Sequence, residues 1–177
     1  MAMGNIRWKY VLLWASLVLC VLTLGSYCYK VYGLERPLEK RLLEDADVLM
    51  AQVEKAGGTT TVVVHLKYVD NLAQTYSRLE HEVRKALGTR GYEIVVRDNP
   101  DEALEGAYGS IHYYIEEARI RGNFGEMAHR SRAALEHTGI DDFRLTVDGD
   151  NIFVQMRSGD KYLYRVKDLY AEGGTGF

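Results

Sequence analysis

The chain has 177 residues and a formal net charge of −3. All 25 acidic residues lie after Lys30, together with 19 of the 22 basic residues, so this part of the chain carries a net charge of −6. Binding to phosphate backbones needs concentrated lysine and arginine, so this acidic balance excludes nucleic acid as an expected partner. The two cysteines are Cys20 and Cys28. The rest of the chain can therefore form neither a disulfide nor a thiolate metal site.

The first predicted element is an uncharged run of about twenty residues, from Tyr10 to Tyr29. At ~1.5 Å per helical residue, this run matches the ~30 Å hydrocarbon core of a bilayer. A cleaved signal peptide fits less well, because the run is not followed by a small-x-small cleavage site. A lipoprotein fits less well, because the residues directly before Cys20 and Cys28 are large. We therefore predict an uncleaved signal anchor that contacts the lipid bilayer through residues 10–29 and follows a short tail, residues 1–9. Aromatic residues flank the run and are predicted to anchor it at the membrane interface: Trp8, Tyr10, Tyr27, Tyr29 and Tyr32.

This anchor predicts a single-pass protein of the cell membrane. Two basic residues, Arg7 and Lys9, precede the run, and more follow it, beginning with Lys30 and Arg36. This distribution does not favour export of the C-terminal side, but long domains translocate largely regardless of flanking charge. We expect the larger domain on the extracytoplasmic side, and a cytoplasmic domain on a reverse anchor is the alternative.

Residues 30–57 predict an amphipathic juxtamembrane stalk helix. Pro37 suits a first helical turn, and Gly57 with Gly58 is a typical helix end. Three residues on the apolar face, Leu42, Leu49 and Val53, are candidates for an interaction. Together with Ala46 they fit a coiled-coil seam, but the pattern covers only two heptads. Packing of the stalk on its own domain is the alternative.

Residues 58–170 predict one α+β domain. A β-branched strand over 59–69, a helix over 71–87 and a strand over 92–97 are expected to form a crossover between parallel neighbours. Two helices follow, one after Pro100 and one from Phe124. Alternating apolar residues then predict a meander of three strands with turns at 148–151 and 158–160.

The expected fold is therefore a transmembrane helix followed by one mixed β-sheet, in the order α-β-α-β-α-α-β-β-β. The helices are expected to pack on one face of the sheet, since an antiparallel sheet can leave its other face in water. Residues 171–177 are predicted to form a flexible tail.

No motif indicates catalysis, a metal or a cofactor. No H-E-x-x-H, G-x-S-x-G or phosphate-binding loop is present, and Asp148-Gly149-Asp150-Asn151 lacks the later ligands of a calcium loop. The five histidines are expected to be solvated or half-buried: His65, His81, His112, His129 and His137. We predict a protein that is not an enzyme, with no catalytic, cofactor-binding or metal-binding residue.

Tyrosine is the unusual component, with 13 copies against four of phenylalanine. Tyr113 and Tyr114 lie beside the apolar stripe of the long helix, so at least one is expected to be exposed. Tyrosine suits interfaces because it buries a large area and keeps a polar tip. Both residues are therefore interaction candidates. The nearby Gly106 and Gly109 are interpreted as positions of close packing.

An α+β module on one N-terminal anchor resembles, in its general plan, domains that assemble in cell-envelope complexes, although architecture does not fix function. The first hypothesis is a non-enzymatic interaction or scaffold domain that binds a protein partner or a second copy of itself. The second is a sensor that binds a small molecule between the helices and the sheet. The third is an envelope hydrolase, which would need at least two of four residues to converge in a cleft: Asp141, Asp142, His112 and His129.

Overall fold

The computed structural model describes residues 8–30, 36–56, 59–88 and 91–170. The helices are α1 (Trp8–Lys30), α2 (Arg36–Leu43), α3 (Leu72–Leu87), α4 (Glu102–Arg121) and α5 (Phe124–Leu135). The strands are β1 (Val48–Ala56), β2 (Thr59–Leu66), β3 (Tyr92–Arg97), β4 (Asp142–Val147), β5 (Asn151–Ser158) and β6 (Lys161–Asp168). Of the predicted tails 1–9 and 171–177, residues 1–7 and 171–177 lie outside the described residues, and Trp8 and Lys9 belong to α1.

The predicted membrane anchor is not supported. Within the described residues, no helix has both the length and the apolar character needed to cross a membrane. The predictions of a single-pass anchor over 10–29 and of a location in the cell membrane are therefore wrong. Of the predicted interface aromatics, Tyr32 and the side chains of Trp8, Tyr10, Tyr27 and Tyr29 lie outside the described residues.

The predicted stalk helix over 30–57 is also wrong after Leu43. Helix α2 ends at Leu43, and the carboxylate of Asp45 accepts a hydrogen bond from the Asp47 N–H in the turn that follows. The next residues form β1, which pairs with β2 antiparallel from Val48 to Ala56. A strand partner thus overrides the helical pattern of this segment. Two glycines between paired strands are typical of a hairpin, although the same pair is also typical of a helix end.

The strands form two three-stranded sheets where one mixed sheet was predicted. The first has the order β1-β2-β3 with β2 and β3 parallel, and the second is the predicted meander β4-β5-β6. An isolated antiparallel bridge between Asn99 and Tyr162 connects them. The ladder does not extend to Tyr164, because its N–H is bound at 2.7 Å by the side chain of Asp98. The α+β class is confirmed, and the single sheet is not.

Helices cover both faces of the second sheet, which contradicts the prediction of helices on one face. Phe153 on β5 packs in a core with residues of α2, α3, β1 and β2. Its neighbours Ile152, Val154 and Met156 point to the opposite face and pack with α4 and α5. Strand β5 is therefore buried on both sides, and its continuous run of apolar residues reflects this.

Candidate functional site: the outer face of α4

Helix α4 is positioned by clear signals at both ends. Asp101 precedes it, and its carboxylate accepts a hydrogen bond from the Leu104 N–H at 2.9 Å. Gly122 follows it with φ of 72°, and its N–H donates to the Ala118 carbonyl at 2.7 Å. The inner face is buried against β5, β6 and α5: Leu104, Ala107, Ile111, Ile115 and Ala118.

After its first turn, the opposite side of this helix carries apolar and small residues at its centre. At 3.6 residues per turn, five exposed residues form a narrow stripe that we call the α4 outer face: Glu102, Gly106, Gly109, Tyr113 and Ile120. Tyr113 is 78% exposed and Ile120 is 81% exposed. These two residues are large apolar groups that the fold leaves in solvent.

Nothing in the described fold requires glycine on this face. A Cβ atom added to Gly106 or Gly109 would have no neighbouring heavy atom within 4 Å. Glycine inside a helix costs about 1 kcal/mol relative to alanine. Both glycines therefore weaken the helix without any benefit to packing among the residues that the structure describes.

A charged rim runs along the side of the outer face that points towards β6. Glu116 forms ion pairs of 3.0 Å with both Arg119 and Lys167. Burial raises the pKa of Glu116, but the hydrogen bond and charge of Lys167 and the charge of Arg119 hold it below its usual value overall. One turn earlier, the Tyr108 hydroxyl lies 3.3 Å from His112 Nδ1. Burial raises the pKa of Tyr108 to about 12, so this hydroxyl stays protonated at neutral pH.

The rim on the α5 side is also charged. Glu117 pairs with Arg121 at 2.5 Å and with Arg130 of α5 at 3.2 Å. The Arg130 guanidinium lies 4.5 Å from the centre of the Tyr114 ring. A polar rim around a centre of exposed apolar groups is typical of a protein interface.

The predicted interaction residues lie in different places. Tyr113 is at the centre of the outer face, and Tyr114 is half-buried against α5. Leu42 and Val53 are core residues, 1% and 8% exposed, and Leu49 is 64% exposed on β1. The residues of the proposed heptad seam are thus divided between α2, the turn that contains Ala46, and β1. Sequence reasoning missed Ile120 and placed Gly106 and Gly109 in close packing within the chain. The helical spacing of these three residues from Tyr113 was the sequence signal that places them on the same face of α4.

A second concave region lies between α3, β3 and the end of β6. It is a groove of about 570 Å³ lined by three tyrosines and four carboxylates: Tyr76, Tyr92, Tyr170, Glu80, Glu93, Asp150 and Asp168. The Tyr92 hydroxyl donates to Glu80 at 3.3 Å, and Arg84 pairs with the same carboxylate at 2.8 Å. Burial, with Glu80 nearby, raises the pKa of Tyr76 far above its usual value.

The four residues named for a hydrolase have separate partners. Asp142 accepts a hydrogen bond from the Tyr68 hydroxyl at 3.0 Å, and Asp141 accepts one from the Gly159 N–H at 2.7 Å. His112 lies on α4 next to Tyr108, and His129 is exposed on α5. Among the described residues, no group of three or more His, Cys, Asp or Glu side chains is placed to hold a metal ion. The Asp148 carboxylate accepts hydrogen bonds from the N–H groups of Asp150 and Asn151, as a hairpin turn requires.

No protein-family model matches the chain, and no curated protein is significantly similar to it.

Proposed function

We propose that the chain is a non-enzymatic interaction module and that it docks through the α4 outer face. The exposure of Tyr113 and Ile120 on one stripe of one helix is the observation that carries this proposal. Apolar groups clustered within a polar rim are characteristic of docking surfaces, whereas single exposed apolar residues are common everywhere. Tyrosine is also among the residues that contribute most to binding energy at interface centres.

The glycines support the same proposal. A surface of small residues lets a partner approach the helix backbone closely. The Tyr113 side chain then projects beyond its neighbours. Such a tyrosine can insert into a complementary recess, because the side chain has little conformational freedom to lose. A surface without a binding role would have no use for two destabilising residues next to an exposed aromatic ring.

A photoreactive phenylalanine analogue introduced at Tyr113 of the full-length chain tests this proposal. Irradiation in the cells that make the protein should produce a covalent adduct with a protein at this position. Tyr170 is the matched control, because it is a tyrosine of similar exposure, 74%, outside α4. Equal adducts at both positions, or none at position 113, would contradict the proposal.

A second candidate function is the binding of a small organic cation in the tyrosine-lined groove. Aromatic faces attract ammonium groups, and the surrounding carboxylates add a favourable field. The groove volume of about 570 Å³ falls within the usual range for small-ligand sites. The three tyrosines Tyr76, Tyr92 and Tyr170 would supply the rings.

Thermal-shift measurements with tetramethylammonium test this second candidate. The expected result is a rise in melting temperature that Glu93→Gln and Tyr170→Leu both reduce, since both residues line the groove. Glu54→Gln, an exposed position on β1 outside the groove, is the matched control. A shift that is the same in all four proteins would exclude the groove as the site.

A further inference from the structure

We propose that the partner of the α4 outer face is the same face of a second copy of this chain. The two α4 helices would run antiparallel about a two-fold axis that crosses the outer face midway between Gly109 and Tyr113, at the level of residue 111. This inference rests on the proposed function and specifies its partner. In a two-fold interface each residue meets a different residue of the other copy, so the surface must be complementary to itself. The placement of Tyr113 opposite Gly109 and the opposite charges at the two ends of α4 meet this condition.

Size complementarity is the first argument. With the axis near Ile111, Tyr113 of each copy lies over Gly109 of the other. The residue with the largest exposed ring thus faces a residue without a side chain, on both sides of the axis. One turn further out, Gly106 faces Glu116 of the other copy. The outer face would therefore bury Tyr113 in the recess that Gly109 of the other copy provides, and this gives Gly109 a role that no contact within the described residues of one copy supplies.

Charge is the second argument, and it selects the antiparallel orientation. The first turn of α4 carries Glu102 and Glu105, and its last turn carries Arg119 and Arg121. Within one copy, Glu105 already pairs with Arg165, Arg119 with Glu116 and Arg121 with Glu117. In an antiparallel pair, Glu102 of one copy would lie next to Arg121 of the other. The helix dipoles also oppose each other favourably in this arrangement. A parallel pair would place like charges side by side at both ends, which destabilises an interface.

The size of the interface predicts its strength. Helix α4 has 20 residues, so the contact is a strip about 30 Å long and about 10 Å wide. This corresponds to roughly 600 Å² of total buried surface, less than the ~1,200–2,000 Å² of standard stable interfaces. The dimer is therefore weak and forms as the concentration rises. Dissociation constants in the micromolar range or above are expected.

Sedimentation of the full-length chain over a range of concentrations tests the proposal. The wild type should show a reversible equilibrium between monomer and dimer. Gly109→Leu should weaken this equilibrium by at least about tenfold, since a side chain then fills the recess for Tyr113 of the other copy. The same substitution should leave the melting temperature of the dilute protein unchanged or raise it, because leucine favours a helix more than glycine does. Loss of association therefore cannot arise from misfolding.

Gly125→Leu is the matched control. Gly125 is an exposed glycine of α5 that also has no neighbour within 4 Å of an added Cβ atom. The Gly125→Leu substitution should leave the equilibrium between monomer and dimer unchanged. A wild type that stays monomeric at every concentration overturns the self-pairing, and so does a dimer that Gly109→Leu does not weaken. If position 113 still crosslinks to a different protein in that case, the self-pairing fails while the interaction function stands.

Discussion

The hydroxyl of Tyr164 accepts a hydrogen bond from the backbone N–H of Val69 at 2.7 Å, across 95 positions of the chain. The same hydroxyl donates to the Lys67 carbonyl at 3.3 Å. Gln155 binds the same segment, since its side-chain amide donates to the Val69 carbonyl at 2.5 Å and accepts from the Leu72 N–H at 3.1 Å. The connection between β2 and α3 is thus held by side chains of the second sheet. These contacts fix the two sheets relative to each other.

Tyr164→Phe should lower the free energy of unfolding by about 1–3 kcal/mol. The substitution leaves the Val69 N–H and the Lys67 carbonyl without their side-chain partner in a buried region, and an unsatisfied buried group costs about this much. Chemical denaturation of both proteins measures the difference. Tyr170→Phe removes a hydroxyl from an exposed tyrosine and should change stability by less than about 0.5 kcal/mol. Equal effects of the two substitutions would show that the Tyr164 contact does not stabilise the fold.

Asp98→Ala should loosen the junction between the sheets. One carboxylate oxygen of Asp98 accepts hydrogen bonds from the Tyr164 N–H at 2.7 Å and from Arg165 Nη1 at 2.8 Å. Removing this carboxylate leaves the Tyr164 N–H and the Arg165 guanidinium without this partner. The free energy of unfolding should therefore fall by about 2–3 kcal/mol. Hydrogen exchange should locate the effect, with the Tyr164 amide exchanging faster. Asp160→Ala, in the exposed turn before β6, is the control and should leave that amide protected.

Glu39→Ala should expose the free edge of β1. The Glu39 carboxylate accepts a hydrogen bond from the Val53 N–H at 3.0 Å, on the edge of the strand that does not pair with β2. Covered edge groups protect a sheet from pairing with other chains. The variant should therefore show faster exchange of the Val53 amide and a greater tendency to aggregate. Glu39→Gln keeps an acceptor oxygen and should behave close to the wild type. If it behaves like the alanine variant, charge and not the hydrogen bond protects the edge.

Glu116→Gln should make the acid limb of the stability curve shallower. Burial raises the pKa of Glu116, but Lys167 and Arg119 lower it overall from its ordinary value of 4.5. A depressed carboxyl pKa stabilises the fold above pH 4.5, and this contribution disappears as the pH falls through the folded-state value. The variant should be less stable at pH 7 and lose less stability than the wild type as the pH falls below 4.5. Glu136→Gln, the same substitution at an exposed position, is the control, and an equal change of slope in both variants would contradict the role of Glu116.

Much of the fold follows from local pattern. The β2–α3–β3 unit, both later helices and the meander lie where periodicity predicts them. Capping residues also mark the ends of α3 and α4. Strand β1 was missed for a physical reason. Its sequence, VLMAQVEKA, also suits a helix, and only pairing with the β-branched β2 makes it a strand. At the junction of the two sheets the Asp98 side chain binds the Tyr164 N–H, and no local pattern reveals this contact.

The candidate site was only partly predictable. Tyr113 was found from its position beside the apolar stripe of α4. Gly106 and Gly109 were identified, but their orientation was not, because a glycine gives no hydrophobic signal to assign it to either face. The tyrosine-lined groove combines residues of α3, β3 and β6 and the two loops beside β5 and β6, so its formation depends on tertiary structure alone.

Disulfide trapping between two differently tagged chains tests the central claim most directly. In a background with Cys20→Ser and Cys28→Ser, one chain carries Glu102→Cys and the other carries Ile120→Cys. In a single helix these positions are about 27 Å apart, so only a second copy can bring them together. The antiparallel pair predicts that mild oxidation gives mainly the mixed 102–120 crosslink. Crosslinks only between identical positions, or none above the level of an Arg132→Cys control on α5, would contradict it.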